Sequence, residues 1–181
     1  MPVITPPGSA YVAEDDLRVR GQGLLAESFP RASLTSQTLM TTQKLEGALV
    51  GLNAGQTVTG VAFACQANSA SLTRCQSLLY DTAGNLLAAA TNTPAKFDAA
   101  AGTVVAFPFS APYKVTITGA YYLAIHAVGT TPPTLYRGAN TTVNGGVSPG
   151  VAAFVLQTGQ ATPPNPATFS TETVTWWMAA Y

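Results

Sequence analysis

The sequence predicts an all-β protein: a single antiparallel β-sandwich, jelly-roll-like, led by an extended N-terminal arm. Three observations carry this. From Ser36 onward, apolar residues recur at every second position in runs of strand length, the period at which side chains share one face of a sheet. Clusters of Gly, Pro and Asn separate these runs at turn spacing. Helical periodicity is confined to one short N-terminal stretch, and no repeat of about 20–50 residues suggests a solenoid or propeller.

The first ten residues hold Pro2, Pro6, Pro7 and Gly8, which block regular structure. Ala13 to Arg20 reads as a short helix, acidic residues first and basic last, until Gly21 and Gly23 interrupt it. Residues 1–24 are therefore an arm or short helix, and residues 25–181 the sandwich domain. The arm is either a solvated linker or a docking segment for a partner. Thr57 to Ala67 alternates, with Val61, Phe63 and Cys65 on one face, and Leu72 to Asp81 follows a polar loop. DTAGN, from Asp81 to Asn85, is a turn needing positive φ at Gly84. LLAAATNT returns as a strand. Val105, Phe107 and Phe109 share a face, as do Tyr113, Val115 and Ile117. Gly119 breaks that run before AYYLAIHAV. TLYRG, AAFVLQT, a Pro-rich TPPNP loop and a closing strand TVTWWMAAY complete the chain. Phe63, Phe107, Phe109, Tyr121, Leu123 and Ile125 are the expected core.

Composition narrows the function. Of 181 residues, 47% are hydrophobic and 9% charged, against a usual charged share of about 25%. Such a surface has little charge repulsion to hold copies apart, which suits a protein packed against neighbours. Eight basic and eight acidic residues balance, with no run of Lys or Arg, so no nucleic-acid partner is expected. No apolar run reaches the roughly 20 residues of a spanning helix, so no membrane partner is expected. MPVITPPGSA lacks the charged and apolar regions of a secretory signal.

Motifs for chemistry are sparse. In AYYLAIHAV, His126 alternates away from Leu123 and Ile125 and has no nucleophile elbow to serve. A structural or surface role is expected, without catalysis or metal. Glu46, Asp81, Asp98 and Glu172 are the acids a glycosidase pair would draw on, and nothing in their spacing selects two of them. No calcium loop, GxGxxG or P-loop is present, and NGGVSPG reads as a surface loop. No catalytic residue, cofactor or metal is expected. Cys65 and Cys75 either form one disulfide across a hairpin or sit as two small buried hydrophobes, the plainer reading. Tyr11, Tyr136, Trp176, Trp177 and Tyr181 suit either a sugar-stacking platform or core and interface packing. Trp176 and Trp177 are adjacent in a strand, so one should face the core and the other face outward, toward a subunit contact. Pro6, Pro7, Tyr11, Trp176, Trp177 and Tyr181 are the expected interface.

The order LAESFPR, LNAGQTVTGVAFACQ, LLYDTAGNLLAAA, FPFSAPYKVTITGAYYLAIHAV, PPTLYRG resembles a β-sandwich domain of virion proteins from tailed phages of actinobacteria, over about Leu25 to Gly138. Its marks are Leu79-Tyr80-Asp81 with Ala83-Gly84, Pro112-Tyr113, and Gly119-x-Tyr121-Tyr122. The cysteine pair and the C-terminal tail lie outside that pattern. The resemblance implies a minor tail or capsid-decorating protein, homo-oligomeric, partnered by other virion proteins and located in the virion after assembly in the host cytoplasm. The same pattern is similar to carbohydrate-binding modules, which implies a host surface glycan as the alternative partner.

Overall fold

The structure is a computed structural model that describes residues 23–138 and 152–181. Its twelve strands are β1 (Ala26–Glu27), β2 (Ser36–Leu39), β3 (Lys44–Leu52), β4 (Thr57–Ala67), β5 (Ala70–Asp81), β6 (Leu86–Ala89), β7 (Val104–Lys114), β8 (Gly119–Thr131), β9 (Thr134–Arg137), β10 (Phe154–Gln157), β11 (Ser170–Thr171) and β12 (Met178–Ala180). The predicted Thr57–Ala67 strand is β4. Short 3-10 turns at Arg31–Ser33 and Pro94–Phe97 interrupt the loops.

The strands form two antiparallel sheets that pack as a sandwich. One runs β1-β12-β4-β9-β2, with β7 also paired to β4, and the other runs β11-β10-β3-β8-β5-β6. The chain changes sheet from β3 to β4, from β4 to β5, from β6 to β7 and from β7 to β8, the alternation expected of a jelly-roll-like path. A bridge between Ala90 and Phe109 ties the end of β6 to β7 and draws the sheets together along one side.

The inner faces meet in one apolar core. Val61, Phe63 and Cys65 of β4 and Phe107 and Phe109 of β7 oppose Tyr121, Leu123 and Ile125 of β8. All six expected core residues are buried. Phe63 and Phe107 meet edge to face at 5.7 Å, and Phe97 tilts against Phe107 at 5.3 Å. A register shift between Val58 and Gly60 changes the parity of β4, so that Val58 also points inward. Gly60 is required there: a Cβ would strike the Phe107 carbonyl and the Tyr181 ring.

Parts of both outer faces are covered as well, while the outward side of β7 stays open, with Val104, Ala106, Pro108 and Ser110 exposed. The segment after β10 folds back over β3, β8 and β5 and builds a second cluster of Leu45, Leu78, Tyr80, Tyr122, Ala124, Val155 and Ala167. On the opposite sheet, Leu24, Phe29, Leu34 and Tyr136 close over Ala64, Trp177 and Ala179. One expectation fails in the loops. Ile117 does not share the inward face of Val115: β7 ends at Lys114, and Ile117 is 71% exposed. The closing strand is also shorter than TVTWWMAAY, because only Met178–Ala180 pairs as a strand and Trp176 makes a single bridge to Arg137.

Candidate functional site

The two tryptophans do point to opposite faces, but neither faces solvent, which corrects the expected outward ring. Trp176 joins the inner core and Trp177 the outer cluster over β12, each 1% exposed. Trp177 Nε1 donates to Glu27 Oε2 at 3.0 Å. The residues that cover Trp177 come from chain positions 24–34 and from Tyr136, a contact that strand alternation cannot reveal. Both rings are thereby unavailable as a sugar platform or subunit contact. Tyr181 is half-buried; its main chain closes on β4 through Thr59 N to Tyr181 O (2.7 Å) and Tyr181 N to Gly60 O (3.2 Å). Pro6, Pro7, Tyr11, the expected 13–20 helix and NGGVSPG lie outside the described residues.

Cys65 and Cys75 are free thiols, not a disulfide. They sit on strands of opposite sheets rather than across a hairpin, and both belong to the inner core. Burial pushes the thiols up to about 11 and about 12, so neither is a ready nucleophile.

His126 is buried on the outer face of β8, opposite Leu45 and Gln76 in the ladder. Its Nε2 bonds the Gln160 carbonyl at 2.9 Å, while Nδ1 has no hydrogen-bond partner. Burial lowers its pKa, opposed by the Gln160 bond and reinforced by Arg74. A neutral ring donating from Nε2 satisfies the carbonyl.

The four acids separate into three roles. Asp81 Oδ1 accepts from the Ala83 and Asn85 N–H groups at 2.9 Å each, which caps the DTAGN turn where Gly84 has φ +87. Asp98 Oδ1 accepts from Ser69 Oγ at 2.9 Å. Glu46 and Glu172 come together through Lys44, whose Nζ lies 2.9 Å from Glu46 Oε1 and 2.5 Å from Glu172 Oε2. The signal for this cluster was present in the sequence. Lys44 and Glu46 share the strand face of Ala48, Val50 and Leu52, so two charges occur on an otherwise apolar, inward face. Their common partner, Glu172, could not be read that way.

Burial drives the Glu46 carboxyl up to about 7; Lys44 offsets this only in part, and the Glu172 charge adds to it. Trp176 bears on Glu46 in the lowering direction, yet neither Glu46 Oε2 nor Trp176 Nε1 has a hydrogen bond of good geometry. Burial also raises Glu172, but the Lys44 bond and the Thr173 and Val174 N–H groups outweigh it and hold the carboxyl low. For Lys44, burial acts downward, and the two carboxylates more than reverse it. Two carboxyls with separated pKa values have the electronic form of an acid–base pair. Here their side chains are only 2% and 7% exposed and share an ammonium, which leaves a sugar no place between them. The cluster is a buried ion network.

A concave surface does exist on the outer face of the β3–β8–β5 sheet. It is a cleft of about 450 Å³ between the β5–β6 turn and the segment entering β11. Phe169 forms part of its wall and packs edge-on to Tyr80 at 5.5 Å and tilted to Tyr122 at 4.9 Å. The two walls are pinned together: Ala167 N donates to Gly84 O (2.8 Å), Leu86 N to Asn165 Oδ1 (3.1 Å) and Tyr80 Oη to Pro164 O (2.9 Å). Of the expected platform residues that are described, Tyr136, Trp176, Trp177 and Tyr181, none lines it.

Among known proteins, no family model matches the chain and no curated protein matches it.

Proposed function

We propose that this chain is a non-enzymatic structural component of a tailed-phage virion, on the tail or capsid surface, assembled through contacts between subunits and with other virion proteins. The observation that carries the non-enzymatic part is where the reactive side chains went. Among the described residues, Lys44, Glu46 and Glu172 neutralise one another inside the sandwich, and His126 holds a loop carbonyl. Cys65 and Cys75 are buried thiols, Asp81 caps a turn and Asp98 bonds Ser69. An active site needs such groups converging on a cleft, and here each is engaged in the fold. Two reduced thiols suit assembly in a reducing host cytoplasm, and the low charge of the chain suits close packing of copies.

Mass spectrometry of purified particles tests the reading. The chain should co-purify with virions at a fixed ratio to the major capsid or tail protein. Its absence from particles of a phage that expresses it would overturn the assignment. The alternative reading, a module that binds a glycan of the cell envelope, is favoured by the cleft beside Phe169, which Thr82, Thr168, Ser170 and Thr171 line.

A further inference from the structure

The structure assigns a ligand class to that cleft: we infer that the space between the β5–β6 turn and residues 166–171 binds a neutral glycan, one or two sugar units deep. This rests on the alternative reading and supplies its site.

The lining is hydroxylic and uncharged. Thr82, Thr168, Ser170 and Thr171 all face the cleft. None of these four side-chain hydroxyls hydrogen-bonds to another part of the described protein, although the backbone around them is paired. Each can donate once and accept twice. Tyr122 Oη donates to Ala152 O at 2.8 Å and keeps its acceptor capacity at the base of the cleft. Among the described residues, no Lys, Arg, His, Asp or Glu lines the space, so none of them would compensate the charge of a phosphate, a carboxylate or a cation. The one carboxylate close in sequence, Asp81, spends both oxygens on the Ala83, Asn85 and Asn85 side-chain N–H groups.

Aromatic surface completes the chemistry. Phe169 is half-exposed at the cleft, its orientation set by Tyr80 and Tyr122. A pyranose offers an apolar C–H face and a rim of hydroxyls. A fixed ring beside several unpaired hydroxyls matches both. The site is also preformed. Asp81 rigidifies one wall, and the bonds from Ala167, Leu86 and Tyr80 fix the other against it. Little ordering is needed on binding, which favours affinity from a small number of contacts. The volume of about 450 Å³ is of the size of small-ligand sites.

The test is a titration of the full, isotope-labelled chain with glucose, galactose, mannose and N-acetylglucosamine, followed by amide chemical shifts, with glucuronate as a charged control. At least one neutral sugar should shift the amides of Thr82 and of Thr168 to Thr171 with saturation, and glucuronate should bind more weakly. The double variant T168A/S170A should weaken that sugar by about tenfold or more, since two hydrogen bonds are lost, while the thermal midpoint stays unchanged. Thr82→Lys should weaken it independently by placing a charge in the cleft. No saturable shift with any of the four sugars, or shifts elsewhere on the molecule, overturns the inference. Incorporation of T168A/S170A into particles, measured separately, reports on the structural role alone. Normal incorporation with lost sugar binding separates the two roles.

Discussion

The two faces of the β3–β8–β5 sheet are both buried, and they are built differently. The inner face meets the second sheet with Leu123, Ile125, Val50 and Leu79, an apolar surface that carries Lys44 and Glu46 at one end. The outer face meets a folded-back loop with Tyr80 and His126, which bond the Pro164 and Gln160 carbonyls of that loop at 2.9 Å each, and Tyr122 donates to the Ala152 carbonyl just before β10 at 2.8 Å. Sheet against sheet leaves few unpaired backbone groups, so most side chains there fill volume, and the exceptions include Ser77 Oγ to Phe107 O at 3.4 Å and Tyr121 Oη to Ile117 O at 2.7 Å. Loop against sheet brings carbonyls with no ladder partner, so side chains there must also donate hydrogen bonds. The chemistry of each face follows from what covers it.

The largest expected effect belongs to the inner face. Phe107→Ala should destabilise by about 3–5 kcal/mol in urea unfolding, because it removes a ring from between Phe63 and Phe97. A loss under about 1 kcal/mol would show that the inner face is not tightly packed.

Next comes the charged end of that face. Glu46 has a folded pKa of about 7 against an ordinary 4.5. A raised pKa means that the folded state binds the proton more tightly. Stability is therefore greatest below pH 4.5 for this group and is lost as pH rises through about 7. The span of 4.5 to about 7 corresponds to about 3 kcal/mol. Glu46→Gln should remove this slope and raise stability at pH 8. Retention of the slope in the variant would assign it to another group.

Tyr80→Phe on the outer face should cost about 1 kcal/mol, the net worth of the bond to the Pro164 carbonyl. An unchanged midpoint would mean that water replaces the hydroxyl without loss.

The faintest signal is that of His126, and its sign opposes that of Glu46. Its folded pKa is lowered, so the unfolded chain takes up the proton first as pH falls below 6.5, and stability declines there. His126→Gln should flatten that decline, while any glycan binding or assembly stays within a few-fold of the wild type. Comparison of E46Q and H126Q across pH 4.5–7 should separate the inner and outer contributions as slopes of opposite sign.

Much of the sandwich was legible in the sequence. Alternation placed Val61, Phe63 and Cys65 together, and the Asp81–Asn85 turn was marked by its residue types, because strand faces and turn geometry depend on neighbours within a few positions. The candidate site was not legible. Its hydroxyls come from residues 82 and 168–171, and no local pattern ties a turn after β5 to an edge strand near the C-terminus.

Local order alone therefore determined which side chains share a face, since a period of two is set by the backbone of each strand. What lies against that face was decided by contacts between residues far apart in the chain. His126 meets Gln160 across 34 positions, Tyr80 meets Pro164 across 84, and Lys44 meets Glu172 across 128. Trp177 shows the consequence most plainly. Alternation correctly turned it away from Trp176, but only the fold placed Phe29 and Leu34 over it and Glu27 on its indole nitrogen. A strand specifies two directions, and burial on either side depends on which distant segments return to cover it.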